Sequence, residues 1–554
     1  MQNSKQILLL VPPSSFAAVE FPYPAIPILS GQLLSSGFNT ICRDFNIELF
    51  NEVNNEEYIV STFDKYNRIS DLSFFNKDSI VYKKAFLKNK LASSMYNSLL
   101  SQVNSSIHST NYYNMLYDFI QIPYTFFRKY ADNNFSTIKY ISNDRKSNFF
   151  LDYFNDKISH FPDDLLFIGI SCSPGFDIYP LFTLSRLLKL KYPNTKIVLG
   201  GYLYSPIIES IKKNPEIFDL FCDYILIGDG ENSIVEFAKF ANGEIFLSSV
   251  SNVVYRDKSN KVVVNSKLSK VNINKIAFAN YDDYNLDNYS NDKKLSMSLS
   301  KGCYWGKCRF CSYSKSRSYQ IKTIQNVLDE IKFLINKYHI DEIHCFDDAI
   351  KPDYYYRLSN LIIENKINIK MFSFAIFDEG FTYDVLKTCK QAGLEKLTWG
   401  FETASKKVFD YISKSGCFDK REEILKNSHE IGIYNVVNFI EGLPGENLED
   451  LILTVKFLYD NIDYIDAIGF QKFQLRMGSY ISENAEMYGI EILGRDDFSL
   501  EYNFINHNTG INSQNSFVDF LGHCENTLNL KPAGKEFYKI VCEQYLKKFA
   551  PNLL

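Results

Sequence analysis

Short apolar runs, each followed by a longer helical pattern, recur through most of this 554-residue chain. That alternation restricts it to folds in which parallel strands are joined by crossover helices. Strands are expected at residues 6–11, which run into Pro12 and Pro13, and at 40–44, 166–171, 196–200 and 224–227. Helices are expected at 25–37, closed by Gly37, at 178–191, and at 205–213, where Ser205 reads as an N-cap and Pro206 as the first helical residue. These elements make a doubly wound, Rossmann-like sheet with helices on both faces. Three of its strands end in ligand-type loops: Ser171-Cys172-Ser173-Pro174-Gly175, Gly200-Gly201-Tyr202 and Gly228-Asp229-Gly230-Glu231. In such a sheet the loops at the carboxyl ends form the binding crevice, and glycines let a ligand approach the backbone.

From residue 295 the alternation resumes, with strands at 295–300, 342–347, 369–376, 396–402, 436–440 and 467–475 and helices at 324–337, 358–365, 383–392, 422–431 and 448–461. Six βα units make an open, partial TIM barrel whose functional groups belong at the carboxyl ends of its strands. Residues 46–161 are polar-aromatic and helical in pattern, densest in aromatics at 117–130. They are too long for a loop and are expected to fold as an inserted subdomain, with the aromatics as its core. The α/β chain therefore divides into a Rossmann-like domain (1–45 with 162–270), a helical insertion (46–161), a barrel (290–476) and a C-terminal region (477–554) that closes the barrel's open side and ends in a helical tail at 532–549.

Between the first barrel strand and its helix lies Gly302-Cys303-Tyr304-Trp305-Gly306-Lys307-Cys308-Arg309-Phe310-Cys311. A structural zinc site needs four ligands, and the next candidates, His339, His344 and Cys345, are distant in sequence. An iron–sulfur cluster can take three thiolates and leave one iron open. Gly302 and Gly306 let the loop wrap and turn its amides toward cluster sulfurs. A zinc knuckle completed by a distant residue stays open as the alternative. His339, His344 and His429 show no metalloenzyme spacing, and Cys172, Cys345, Cys389 and Cys417 read as small buried hydrophobes.

A net charge of −5 and a pI near 5.9 supply no field for a polyanion, so nucleic acid is not expected as a partner. Eleven cysteines without paired spacing suit a reducing cytoplasm. No run of about 18 apolar residues suggests a membrane span.

At the cysteine loop the chain resembles the radical S-adenosylmethionine (SAM) superfamily, whose three cysteines hold a [4Fe-4S] cluster with SAM on the open iron. Cys303, Cys308 and Cys311 are the metal ligands implied, with four residues rather than the usual three between the first two. The resemblance continues through Phe310, an apolar contact for adenine. It extends to Asp347 and Asp348 as acceptors for the SAM α-ammonium, and to Glu402 in Gly400-Phe401-Glu402-Thr403 as a partner of the SAM ribose or amino group. Last comes the turn Asn438-Phe439-Ile440-Glu441-Gly442-Leu443-Pro444-Gly445-Glu446, whose backbone meets adenine.

The loops carrying Ser171, Ser173, Gly200, Gly201, Tyr202, Gly228, Gly230 and Glu231 are similar to those of the cobalamin-binding domain that precedes many radical SAM domains. No Asp-x-His-x-x-Gly segment offers a lower axial histidine, as is usual in that branch. The resemblance implies a cobalamin-dependent radical SAM enzyme. It would cleave SAM to a 5′-deoxyadenosyl radical and methylate an unactivated carbon of a peptide or natural-product substrate, with flavodoxin or ferredoxin as reductant. Non-methylating radical SAM chemistry, such as cyclisation, epimerisation, cross-linking or rearrangement, with or without cobalamin, is the alternative.

Overall fold

In the computed structural model, β1 (Gln6–Val11) pairs in parallel with both β2 (Thr40–Asp44) and β3 (Leu165–Ser171). β4 (Lys196–Gly200) and β5 (Tyr224–Leu226) extend the parallel set beyond β3. The structure describes residues 5–13, 20–53, 132–144, 148–172, 178–265, 271–289, 293–312, 318–527 and 535–554. It divides into two units: Met1–Val271 with Ile276–Ser290 and Asp496–Ser499, and Asn272–Lys275 with Asn291–Arg495 and Leu500–Leu554.

The first unit's strand order is β2-β1-β3-β4-β5-β6-β7. Every residue of β3 is buried, as a central strand covered on both faces requires, which is why it reads as a continuous apolar run. The expected parallel sheet is lengthened by an antiparallel hairpin, β6 (Val253–Arg256) and β7 (Val262–Val264). Its signal in the sequence was the pair of valine-rich runs flanking Asp257-Lys258-Ser259-Asn260, where Asn260 takes a left-handed conformation. The helix Ala25–Ser35 ends as expected: Gly37 has φ of 87°, and the amides of Gly37 and Phe38 return to Leu34 and Leu33.

The boundaries expected for the insertion are revised by the flanks that the structure describes. The helix Phe149–Ile158 packs with the Rossmann-like elements: Phe154 stacks edge-on against Phe45, and Asn148, which caps this helix, donates to Thr183 in the helix Ile178–Lys191. The aromatic stretch 117–130 lies outside the described residues. A second revision concerns the C-terminal region, from which Asp496–Ser499 joins the first unit. Asp496 accepts from the Asn133 amide, and Phe498 packs on Phe182 and Phe135.

The second unit is built on six parallel strands in the order β15-β14-β13-β12-β11-β8. They are β8 (Lys294–Met297), β11 (Glu342–Cys345), β12 (Lys370–Ala375), β13 (Leu394–Glu402), β14 (Tyr434–Glu441) and β15 (Ala467–Lys472). A short hairpin, β9 (Ser300–Lys301) with β10 (Gln320–Ile321), brackets the cysteine loop. β15 and β8 end the sheet as its two edges, so the barrel is open. At the amino ends of β8 and β11 the buried Lys294 and Glu342 pair at 3.2 Å, with His344 on the same carboxylate at 2.9 Å, so this histidine is structural. Beyond the barrel, β16 (Ile490–Gly494) and β17 (Asn503–Asn506) form an antiparallel hairpin. The helix Phe517–Thr527 lies against β15, and the helix Lys535–Phe549 packs on the helix Leu448–Asp460. No helix among the described residues is long and apolar enough to cross a membrane.

Gly201, at φ of 115°, is packed so closely that an added Cβ would lie 1.7 Å from the Cys172 carbonyl oxygen. Gly243 also has positive φ but open space around it. Gly201→Ala is therefore expected to lower stability by more than the ~1–3 kcal/mol of a strained backbone, and Gly243→Ala by about 1–2 kcal/mol. Urea midpoints followed by circular dichroism check the order of the two.

Candidate active site

In the first unit, β1 is where the chain's winding reverses, since β2 lies on one side of it and β3 to β5 on the other. The crevice of a doubly wound sheet opens at that switch point, outside the carboxyl ends of the strands. Ser171 is paired with Gly200 there, and Gly200 with Leu226. The Cys172 amide donates to the Gly200 carbonyl, and the Gly228 amide to Ser205 Oγ at 2.7 Å. Ser205 was expected to cap the following helix. Instead it ties the loop after β4 to the loop after β5, and the helix starts later, at Ile208.

The glycines of these loops divide by purpose. Gly201 is demanded by the Cys172 backbone whether or not a ligand lies against it. Gly228, also left-handed, is exposed. An added Cβ at Gly200 would meet nothing closer than Leu226 O at 3.7 Å, so the chain's own packing does not require glycine there. An outside group lying on the backbone would. Tyr202, half-buried, opens a short 3-10 turn, and Gly230 and the buried Glu231 begin the helix Gly230–Ala241. Ser173 lies outside the described residues. Among those described, no histidine stands at the carboxyl ends of β1 to β5.

In the second unit, the half-buried Cys303, Cys308 and Cys311 lie on a loop with Gly302 at φ of 72° and Gly306 at 62°. The loop is fastened at several points to the segment after the helix Lys406–Tyr411. Trp305 Nε1 donates to Ser413 O at 3.0 Å, the Arg309 amide to Ile412 O at 2.9 Å, and Arg309 Nη1 to Tyr411 O at 2.9 Å. Tyr304 donates its hydroxyl to Asp378 at 2.9 Å. Burial pushes the Cys308 thiol up, against the opposing pull of the Lys414 ammonium and of the Ser415 amide that donates to its sulfur. Two left-handed glycines, a backbone amide on a thiolate and a buried cation suit a polynuclear anionic group. Among the described residues no three His, Cys, Asp or Glu side chains, the loop cysteines included, converge on a single metal ion.

Around this loop the structure brings most of the remaining expected residues together, with one correction. Asp347 is buried and accepts from the Leu299 amide, the Ser300 amide and Ser300 Oγ, so it braces the strand leading to the cysteines rather than facing SAM. Asp348 is exposed just beyond the carboxyl end of β11. Phe310 packs in one cluster with Ile440 and Leu443, beside the glycine turn as expected. Gly400 and Glu402 flank a bulge in β13, and Glu402 takes φ of 64°. Asn438 lies across Gly469, where an added Cβ would fall 2.0 Å from Asn438 Oδ1. In the turn itself Gly442 and Gly445 are left-handed and Pro444 is buried.

Sequence reasoning missed two contributors, Lys414 and the segment after β17, and read Glu446 only as the end of the glycine turn. Lys414, its side chain 7% exposed, pairs with Glu402 at 3.1 Å. Burial pulls this ammonium down, and Glu402 with the Cys308 thiolate more than reverses that, leaving it above its ordinary value. Glu446 receives the Gly442 amide at 2.6 Å and the Leu443 amide at 3.3 Å on one carboxylate oxygen, while the other is buried without a partner. The segment after β17 holds the same turn: Asn506 donates to Gly442 O, the Gly445 amide donates to Asn508 O, and Thr509 and Gly510 donate to Glu446 O. A lone lysine and a stretch of asparagines carry no spacing that marks them in advance. Cys417 also departs from expectation, being only half-buried, with its thiol on Phe377 O.

Residues 297–458 match the Radical SAM superfamily. The chain carries a radical SAM domain. Such a domain implies a [4Fe-4S] cluster and SAM, and the matched span includes Cys303, Cys308, Cys311 and the turn at Gly442. Over 319 residues the chain is 25% identical to an uncharacterized methyltransferase of Pyrococcus horikoshii, covering 55% of this chain and 66% of that protein, just under two thirds of its length. Among solved structures it shares its fold with the radical SAM methyltransferase TsrM from Kitasatospora setae with cobalamin and a [4Fe-4S] cluster bound (13% identity, TM-score 0.56, 99% of this chain and 100% of that one). It is likewise similar to the cobalamin-dependent SAM radical enzyme OxsB with aqua-cobalamin and SAM bound (12% identity, TM-score 0.59, 98% and 71%).

Burial pushes the Glu446 carboxyl from an ordinary 4.5 up to about 8, with the Gly442 amide pulling back and Glu441 adding to the rise. The native state then binds this proton more tightly than the unfolded chain, so stability falls as pH rises between those values. Asp44 and Asp347, pushed up to about 6 by burial, act in the same direction at lower pH. Between pH 6 and 8 the loss from Glu446 is expected to be about 2 kcal/mol. Glu446→Gln should flatten that slope in urea midpoints measured at pH 6, 7 and 8.

Proposed function

We propose that this chain is a cobalamin-dependent radical SAM enzyme that methylates an unactivated carbon of a peptide or small natural-product substrate. The observation that carries the reading is the pairing, in one chain, of two sites. One is a doubly wound sheet with a crevice at its switch point and a Gly200 that its own packing does not need. The other is a three-cysteine loop and glycine turn at the carboxyl ends of an open barrel. The fold likeness to TsrM and OxsB, whose structures hold cobalamin, and the methyltransferase relative support the same reading.

Bound in these sites, the cluster would supply the electron that cleaves SAM, and the corrinoid would carry a methyl group at a carbon that polar chemistry does not reach. The chain's own residues bind and orient. Cys303, Cys308 and Cys311 supply three thiolates, and Ser415 donates its amide to one of them. Phe310, Ile440 and Leu443 make an apolar wall for adenine. Asp348 and Asn438 offer exposed or half-exposed polar groups near the carboxyl ends of β11 and β14. Gly200, Tyr202 and Gly228 leave backbone accessible at the first unit's crevice. The absence of a histidine there, among the described residues, suits a corrinoid bound without a lower imidazole ligand. A flavodoxin or ferredoxin is the fitting one-electron donor.

Anaerobically purified protein from cells supplied with cobalamin is expected to hold iron and near-stoichiometric cobalt, with a base-off cobalamin spectrum. Labelled SAM should pass its methyl group to product. Iron without cobalt would refute the cobalamin assignment. Cys308→Ala should lose most cluster iron and reduce 5′-deoxyadenosine formation by at least about 10³-fold while its circular dichroism stays that of the wild type.

A further inference from the structure

The second unit buries a complete ion pair beside the cysteine loop. The Lys414 and Glu402 side chains are 7% and 11% exposed and meet at 3.1 Å. They lie directly over Gly400, where an added Cβ would come within 2.9 Å of Lys414 Nζ and 3.2 Å of Glu402 Oε1. Non-glycine left-handed backbone at Glu402 (φ 64°) and at Ser413 (φ 51°) places both groups. Such conformations cost stability and persist where the surroundings enforce them. A buried pair of this kind is also weak evidence for stability, because desolvating two charges offsets their attraction. Its placement points to another purpose. Lys414 interacts with Cys308 and Cys303, and its neighbour Ser415 donates its amide to Cys308 sulfur. The segment is held in place by Trp305 and by the Arg309 amide.

We propose that Lys414 and Glu402 are positioning residues whose opposed charges set the reduction potential of the [4Fe-4S] cluster on Cys303, Cys308 and Cys311. The inference rests on the cluster assignment made above. One-electron reduction adds negative charge to the cluster. In a low-dielectric surround an ammonium favours the reduced form, and the carboxylate tempers that effect. Gly400 supplies the room in which the two charges meet.

The test is an anaerobic EPR redox titration, with dithionite and mediators and without SAM, of reconstituted wild type, Lys414→Met, Lys414→Arg, Glu402→Gln and the Lys414→Met/Glu402→Gln double variant. At the wild-type midpoint, Lys414→Met should lower the ratio of reduced to oxidised cluster at least tenfold, about 59 mV for one electron. Glu402→Gln should raise that ratio, Lys414→Arg should stay within about threefold, and the double variant should fall between the single ones. Shifts of equal sign, or none beyond threefold, in variants that hold their cluster overturn the proposal. If Lys414→Met fails to assemble a cluster, Glu402→Gln decides alone: a raised ratio supports the proposal and an unchanged or lowered one overturns it. A wild-type chain without a reduced-cluster signal overturns the cluster assignment itself, whereas a normal wild-type signal with unshifted variants overturns only the role of the pair.

Discussion

Parallel pairing is the constraint on which both units depend. A parallel strand cannot be joined to its neighbour by a hairpin, so after β8 each of β11 to β15 must be reached by a crossover, and all six carboxyl ends fall at one edge of the sheet. That edge gathers residues more than a hundred positions apart: the cysteine loop, Asp348, the bulge at Gly400 and Glu402, and the glycine turn. The first unit obeys the same rule with a different outcome. Its strand order reverses at β1, and the reversal rather than a barrel mouth opens the crevice.

The second unit uses buried charge at both ends of its strands, for different ends. At the amino ends Lys294, Glu342 and His344 satisfy one another inside the wall of the barrel. Toward the carboxyl ends Asp347 is spent on backbone amides that hold the approach to the cysteines. Glu446 is spent on amides of the glycine turn, and Glu441 on the start of the helix Phe517–Thr527. Carboxylates near the site thus work largely as braces for loops, each replacing backbone partners that a strand end leaves unmet.

How much of this was legible follows from what each signal depends on. The strand and helix order was readable because apolar periodicity is local and strong in β1, β3 and β13, and the cysteine loop and glycine turn are contiguous motifs. The hairpin of β6 and β7 was overlooked because three or four valine-rich residues carry little pattern beside long crossovers. Asp347 was misassigned because two adjacent aspartates look alike in sequence, although alternation in an extended chain sends one inward and the other out. Lys414 was invisible for a different reason. Its meaning comes from Glu402 and Cys308, contacts that only the crossover brings about. Likewise Ser205 has the residue type of a helix cap, and only the neighbouring strand end shows that its hydroxyl is claimed by Gly228.

The bonds from Asn506, Asn508, Thr509 and Gly510 to the glycine turn reach across more than sixty residues of chain. A polypeptide still being synthesised has the cysteine loop and the turn at Gly442 in hand well before those partners leave the ribosome. The second unit can therefore assemble its six strands early, but the turn gains its last supports only after residues 506–510 have been made. Completion of the turn is thereby tied to synthesis through Gly510, and a ribosome that stalls after the barrel releases a sheet without a finished turn.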